Sequence, residues 1–263
     1  MNLLAFDTST DTLSIAVRRA QGDDGGRLWH YNGPGGAQAS ATLIPAIQQL
    51  MREAGLGFKD LAAIAFGSGP GSFTGVRTAC SVAQGLAFGA SLPVLPVVSL
   101  MAVAEEARLA LQDAGGQPGE RLRVCALLDA RMDEWYAANY FFDSGLWRLH
   151  ETPGLIKPED LAARTAFAQG AGGLPEPGVL SICAGNVFAL YGGRFDSRGL
   201  ACVPALPTAR AMLSLAPQLL QAGLAVPAEE ALPLYIRDKV AKTTEERVLE
   251  KAAAASAATA QTV

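Results

Sequence analysis

Ala65-Phe66-Gly67-Ser68-Gly69-Pro70-Gly71-Ser72-Phe73-Thr74-Gly75-Val76-Arg77 is the stretch whose reading decides the fold. An apolar run over residues 61–66 enters it. Four glycines and a proline then turn the chain, and a run rich in small residues, 74–89, leaves it. The order is strand, glycine loop, helix, in which free N–H groups at a helix start can face an anion.

Two familiar phosphate loops fail here. A P-loop closes on Gly-Lys-Ser/Thr, whereas this one closes on Phe73-Thr74-Gly75-Val76-Arg77. A dinucleotide loop needs G-x-G-x-x-G. Counted from Gly67 its last glycine falls on Ser72, and from Gly69 on Thr74. Two readings stay open: an unconventional cofactor site drawing on Asp7, Gly69, Gly71 and Ser72, or a tight strand-to-helix corner. Asp7, at the end of an apolar run, is either a catalytic carboxylate or a turn residue bonding the amides of Ser9 or Thr10. Asp129 and the pair Asp133 and Glu134 carry the same alternatives. A Ser/Thr hydrolase would use Ser68, Ser72 or Thr74. There is no G-x-S-x-G elbow, however, and only His30 and His150 exist to serve as base.

Outward from this stretch the elements follow by pattern. Residues 3–6, 13–17 and 27–31 read as strands of an antiparallel meander, with a hairpin turn at 23–26. Leu43, Ile44, Ile47, Leu50 and Met51 recur as the stripe of an amphipathic helix over about 38–54. Ser40 or Thr42 is its expected cap and Gly55 its end; a start near Gln38 would put Pro45 inside it. A strand at 93–98 and a helix from Ser99, as cap, to about 113 complete the half. After a linker at 115–119 the order restarts: strands at 122–128, 134–142 and 146–151, a helix at 158–168, a loop at 170–178. A strand at 179–184 then meets Gly185-Asn186, and a strand at 200–203 and a helix at 208–222 follow. Two mixed sheets flanked by helices are therefore expected, in an N-terminal lobe, 1–114, and a C-terminal lobe, 120–223, whose last helix is free to pack back on the first. Residues 224–263 read as a tail, disordered beyond about 245.

Composition narrows the function. The chain of 263 residues is 50% hydrophobic and 17% charged, with a net charge of −4 and no Lys/Arg cluster. Solo binding to nucleic acid is not expected, nor is a membrane span or a signal peptide. Cys80, Cys125, Cys183 and Cys202 lie in apolar runs and read as buried, reduced thiols of a cytoplasmic protein. No histidine pair at metal-ligand spacing is present.

The whole set of motifs resembles the bacterial TsaB (YeaZ) family. It is carried by Leu4-Ala5-Phe6-Asp7-Thr8-Ser9-Thr10, the 67–77 element, Gln84-Gly85-Leu86-Ala87, Pro96-Val97-Val98-Ser99-Leu100, Asp129-Ala130-Arg131-Met132-Asp133-Glu134-Trp135-Tyr136 and Tyr235-Ile236-Arg237. The resemblance implies the actin-like ATPase superfamily fold, with two ribonuclease-H-like lobes. It implies a role in making N6-threonylcarbamoyladenosine at position 37 of tRNA. There the chain would be a non-catalytic scaffold or activator that binds the paralogous TsaD-like transferase, joined by a TsaE-like ATPase. It also implies a homodimer when the transferase is absent, and contact with tRNA only through the complex. The paralogue carries a His-x-x-x-His metal pair on its first helix. Residues 36–42 here hold no histidine, and Asp7-Thr8-Ser9 lacks the superfamily's Asp-x-Gly. No metal and no cofactor are expected for the chain alone, with ATP left to the assembled complex. The family's partner contact uses the first two N-lobe helices, which places the expected partner residues at Leu43, Ile47, Leu50, Val76, Ala79, Ala83 and Ala87. The alternative is an enzyme in its own right: an ATP-using phosphotransferase of actin-like fold, or the hydrolase above.

Overall fold

A computed structural model describes residues 1–20, 26–116, 121–169 and 176–237. The 23–26 turn, the 115–119 linker, the 170–178 loop and the tail beyond 237 fall largely or wholly outside the described residues.

The first half builds one sheet from β1 (Leu3–Asp7), β2 (Thr12–Arg19), β3 (Arg27–Pro34), β4 (Ala63–Gly69) and β5 (Val94–Val98), with α1 (Ala39–Ala54), α2 (Phe73–Ala90) and α3 (Ser99–Asp113) between and after them. The strand order is β3-β2-β1-β4-β5. The meander pairs antiparallel, and β1, β4 and β5 run parallel through helical crossovers. The second half has β6 (Arg121–Asp129), β7 (Trp135–Asp143), β8 (Leu146–Ile156), α4 (Leu161–Arg164), β9 (Leu180–Gly185), α5 (Phe188–Tyr191), β10 (Ala201–Pro204) and α6 (Ala209–Gln221). Its order, β10-β9-β6-β7-β8, repeats the first sheet strand for strand and sense for sense. The doubled pattern expected from sequence is therefore real.

Strand alternation explains the layering. On β1, Leu4 and Phe6 face α1 and α2, joined by Ile15, Ile64, Phe66, Leu43 and Ile47 in one core. Leu3 and Ala5 face the other way, onto α3 and α6, which lie between the sheets. The inter-sheet faces carry small residues, Ala5, Ala16, Ala63, Ala65, Ala126, Ala138 and Ala184, so two helices fit against both sheets at close range. Among the described residues, the outer face of the second sheet is covered by α4, α5, the turn carrying Phe167 and an aromatic group around Trp135. Among the described residues, the long outward helices therefore belong to the first lobe.

Several boundaries move. The β4 strand starts at Ala63 and runs on through Gly67 and Ser68 to Gly69, so the corner begins only at Pro70. The α1 helix starts at Ala39 out of a 3-10 turn, and neither Ser40 nor Thr42 caps it; Ala39 N donates to Gly36 O instead. Pro45 thus sits inside the helix, and Gly55 ends it at φ 63° as expected. The 158–168 helix breaks into short turns around α4, because Asn139 Nδ2 takes the Arg164 carbonyl and Thr165 Oγ1 takes that of Leu161. Thr208 does cap α6, accepting from Ala211 N. The first part of the expected tail, 224–237, packs on the first lobe: Val226 pairs with Val94, and Ala228 and Ala231 are buried against it. Cys80, Cys125 and Cys183 are buried thiols, but Cys202, on the edge strand β10, is exposed.

Candidate functional site

The glycine element is closed on the turn after β1. Asp7 is fully buried. Its Oδ1 accepts from Ser9 N and Ser9 Oγ, both at 2.7 Å, and its Oδ2 from Ser99 Oγ at 3.0 Å. Burial pushes its pKa up to about 6, against the lowering pull of those hydrogen bonds. Ser99 is thus the first residue of α3 and an Asp7 partner rather than the expected cap. The Asp7 carboxylate bonds the Ser9 amide, as the turn reading expects.

The glycines answer to the same turn. A Cβ on Gly67 would lie 1.8 Å from Asp7 Oδ2, one on Gly71 2.5 Å from Ser9 O, and one on Gly75 1.9 Å from Thr8 O. Ser72 N donates to Ser9 O at 2.7 Å, and Thr8 Oγ1 to Gly75 O at 2.6 Å. Ser72 Oγ caps α2 by accepting from Gly75 N. Gly69 has φ 105°, and beside it Ser68 O accepts from Leu234 N at 2.7 Å. The Thr8–Ser9 backbone and that of Leu234 therefore pack directly on the glycine element. Of the four cofactor candidates, Asp7, Gly69 and Ser72 are held by the protein itself, and Gly71 is packed on Ser9.

The second half repeats the device. Arg131 N donates to Asp129 Oδ1 at 3.0 Å, and a Cβ on Gly185 would lie 1.9 Å from Leu127 O. Asp129 also accepts from Tyr191 OH at 2.9 Å, and its own N–H reaches Asn186 Oδ1. Between the two turns opens an interlobe cleft, with one cavity of about 340 Å³ and an adjoining one of about 130 Å³. Gly71 and Ser72 line it from one lobe, Ala130, Arg131 and Tyr136 from the other. Arg131 spans it to Asp11 at 2.8 Å, and Arg237 pairs with Glu134. His30 lies on edge strand β3, and His150 on β8 is stacked on Phe167. Neither lines the cleft, so no histidine stands beside Ser68, Ser72 or Thr74 as a base. Among the described residues no three His, Cys, Asp or Glu side chains are placed to hold a metal, and no helix is long and apolar enough to cross a membrane.

The expected partner residues need correction. Leu43, Ile47, Leu50, Val76, Ala79, Ala83 and Ala87 are all buried. They face the lobe's own interior, since the apolar stripe of each helix is what holds it to the sheet. The outward faces are different residues. On α1 they include Ile44, 42% exposed, with Gln48 and Arg52. On α2 they are Phe73, Arg77, Ser81, Gly85, Phe88 and Gly89, with Phe88 78% exposed. A Cβ on Gly85 or Gly89 would meet nothing within 4 Å. Both glycines lie in the small-residue run 74–89, whose composition does not distinguish an inward glycine from an outward one. The sequence also leaves Tyr235-Ile236-Arg237 unplaced: Tyr235 OH accepts from Arg77 Nε at 2.7 Å beside the Phe73 ring.

Comparison with known proteins agrees with this architecture. The family model described as TsaD, tRNA N6-adenosine threonylcarbamoyltransferase, matches residues 36–245. The tRNA threonylcarbamoyladenosine biosynthesis protein TsaB of Escherichia coli (strain K12) is 33% identical, covering 92% of this chain and 96% of that one. The protein of the same name in Haemophilus influenzae is 32% identical over 91% and 95%. The solved structure of YeaZ from Pseudomonas aeruginosa superposes with a TM-score of 0.71 at 36% identity, covering 89% of this chain and 99% of that one.

Proposed function

The chain belongs to the bacterial TsaB family of tRNA threonylcarbamoyladenosine biosynthesis proteins, and from that premise we propose that it is a non-catalytic subunit that docks on and activates a TsaD-like transferase. Its fold is that of a paralogue of the transferase. The observation that carries the proposal is the closure of the glycine element on Asp7-Thr8-Ser9: the carboxylate and the loop that would serve a phosphate are spent on each other.

The docking face in this proposal is the outer side of α1 and α2. Glycine within a helix costs about 1 kcal/mol relative to alanine, and nothing inside the lobe requires it at Gly85 or Gly89. Close approach of another helix gives those two positions a use. Phe88 and Ile44 supply the apolar centre such a contact needs. The same face would pair two copies when the transferase is missing. A TsaE-like ATPase and tRNA would join through the assembled complex in the cytoplasm, and ATP would be held only there.

Co-expression with the transferase tests this. Phe88→Glu with Ile44→Glu should leave the chain folded, lower co-purification at least tenfold and reduce threonylcarbamoyladenosine in tRNA. Undiminished complex formation by the folded double variant would sink the docking face. The rival reading, a phosphotransferase using the interlobe cleft, stands or falls on titration of the isolated chain with Mg-ATP, where micromolar binding would restore it.

A further inference from the structure

We infer that residues 231–237 form a latch through which the outer face of α2 governs the strained turn at the mouth of the interlobe cleft. The inference rests on the docking proposal for its purpose: a partner seated on α2 would set the aperture of the cleft.

The latch is fastened at both ends. On the first lobe the Ala231 carbonyl accepts from Gln84 Nε2 at 3.0 Å and from Cys80 Sγ at 3.3 Å, both on α2. Leu234 N then donates to Ser68 O at the end of β4. Tyr235 takes the Arg77 hydrogen bond, and the Arg77 guanidinium lies 3.6 Å from the centre of the Phe73 ring. Arg77 has no carboxylate partner among the described residues, so Tyr235 and Phe73 are what hold it. Ile236 packs into the core shared by the two lobes. On the second lobe Arg237 pairs with Glu134 and donates to Arg131 O at 3.4 Å and to Met132 Sδ at 3.1 Å.

What Arg237 holds is unusual. Arg131, Met132 and Asp133 have φ of 63°, 59° and 57°. Three successive non-glycine residues in the left-handed region are costly, and such strain lasts only where the surroundings impose it. Here the part-buried Arg237–Glu134 pair and the turn's own backbone bonds hold it, while the exposed pairs Arg131–Asp11 and Arg194–Asp133, at 3.0 Å, add little. Loss of the Arg237 contact lets the turn relax, and the Arg131–Asp11 bridge over the cleft goes with it. Arg77, Tyr235 and Arg237 are thus positioning residues in one line, from a helix face to a strained turn whose relaxed form would be its second arrangement. That is the physical requirement for coupling two sites.

Hydrogen–deuterium exchange on the full chain, with no partner present, tests the line. The reporters are the amides of Ala130 and Glu134, which bond Glu134 O and Arg131 O within the turn. Arg77→Ala and Arg237→Ala should each speed their exchange at least tenfold, with the amides of β6 and β9 unchanged. Arg52→Ala, on the exposed side of α1, should do nothing. If Arg77→Ala speeds exchange everywhere, Tyr235→Phe removes only the hydroxyl and should still speed the turn at least threefold. Turn exchange within twofold of the parent in folded Arg77→Ala or Tyr235→Phe overturns the latch. That result leaves the docking proposal intact, since no partner is in the tube. Loss of docking in Phe88→Glu leaves the latch equally untouched.

Discussion

Gly67 and Asp7 occupy one another's space, and that makes both testable. Gly67→Ala must push a Cβ into a carboxylate oxygen that already accepts from Ser99. The expected loss is about 2 kcal/mol, read from urea unfolding. Asp7 also gives the pH dependence a definite sign. Its pKa rises from 3.8 to about 6 on folding, so between those values the folded chain holds a proton the unfolded chain has released. Stability from this residue is therefore fully present below about pH 4 and falls as pH rises toward 6, by about 3 kcal/mol in all. Asp113 and Glu176, held below the usual range by hydrogen bonds from Arg210 and Arg123, pull the other way and lose stability as pH falls. The difference between the parent and Asp7→Asn isolates the Asp7 part. It should be flat above pH 6.5 and slope between 4 and 6. A parallel pair of curves would show that Asp7 keeps its ordinary pKa.

At the scale of the element, α2 divides its small residues between two tasks. Ala79, Ala83 and Ala87 bring it close to the sheet and are buried. Gly85 and Gly89 lie on the other side, in the open. Gly85→Ala with Gly89→Ala should raise the stability of the isolated chain by about 1–2 kcal/mol while weakening its association with the transferase. Ala83→Glu buries a charge and should fail to fold, so it cannot report on docking; thermal melts separate the cases. Sequence periodicity found α1 and α2 to within a residue or two because an apolar stripe must face the sheet. The same fact misassigned Leu43, Ile47 and Leu50: the residues that periodicity reveals are those the lobe's own core consumes. What faces outward, Ile44, Gly85 and Phe88, forms no apolar stripe: on α2 the outward positions recur at helical spacing but mix Phe, Arg, Ser and Gly. The glycine motif hid its meaning for a similar reason. Gly67, Gly71 and Gly75 are required by Asp7, Ser9 and Thr8, some 60 residues earlier, and no local pattern shows that contact. Legible from the start was the doubled order of elements; for Asp7 the sequence offered the bond to the Ser9 amide as one of two readings, since Asp-Thr-Ser after an apolar strand can bond its own amides.

Across the whole molecule, Glu105 ties the layers together. It is nearly fully buried and accepts from Trp147 Nε1 at 2.8 Å, from Ser214 Oγ at 2.5 Å and from both Nε and NH2 of Arg108. It thus joins α3, α6 and the β7–β8 hairpin. Glu105→Ala strands Arg108 and the indole N–H; the expected cost is about 3 kcal/mol, and the melt should broaden as the lobes lose their common hub. The α6 helix has a wider effect. It lies against β1 and β2, with Ala209 N bonded to Ser14 Oγ at 3.0 Å and Arg18 NH1 to the Leu213 carbonyl at 3.3 Å. One face of the first sheet is therefore covered by a helix encoded some 190 residues later. On the ribosome, β1 to β5 would leave the exit tunnel long before α6. The nascent first lobe must wait with its alanine face bare, finishing its own fold only when the far end of the chain arrives to close it.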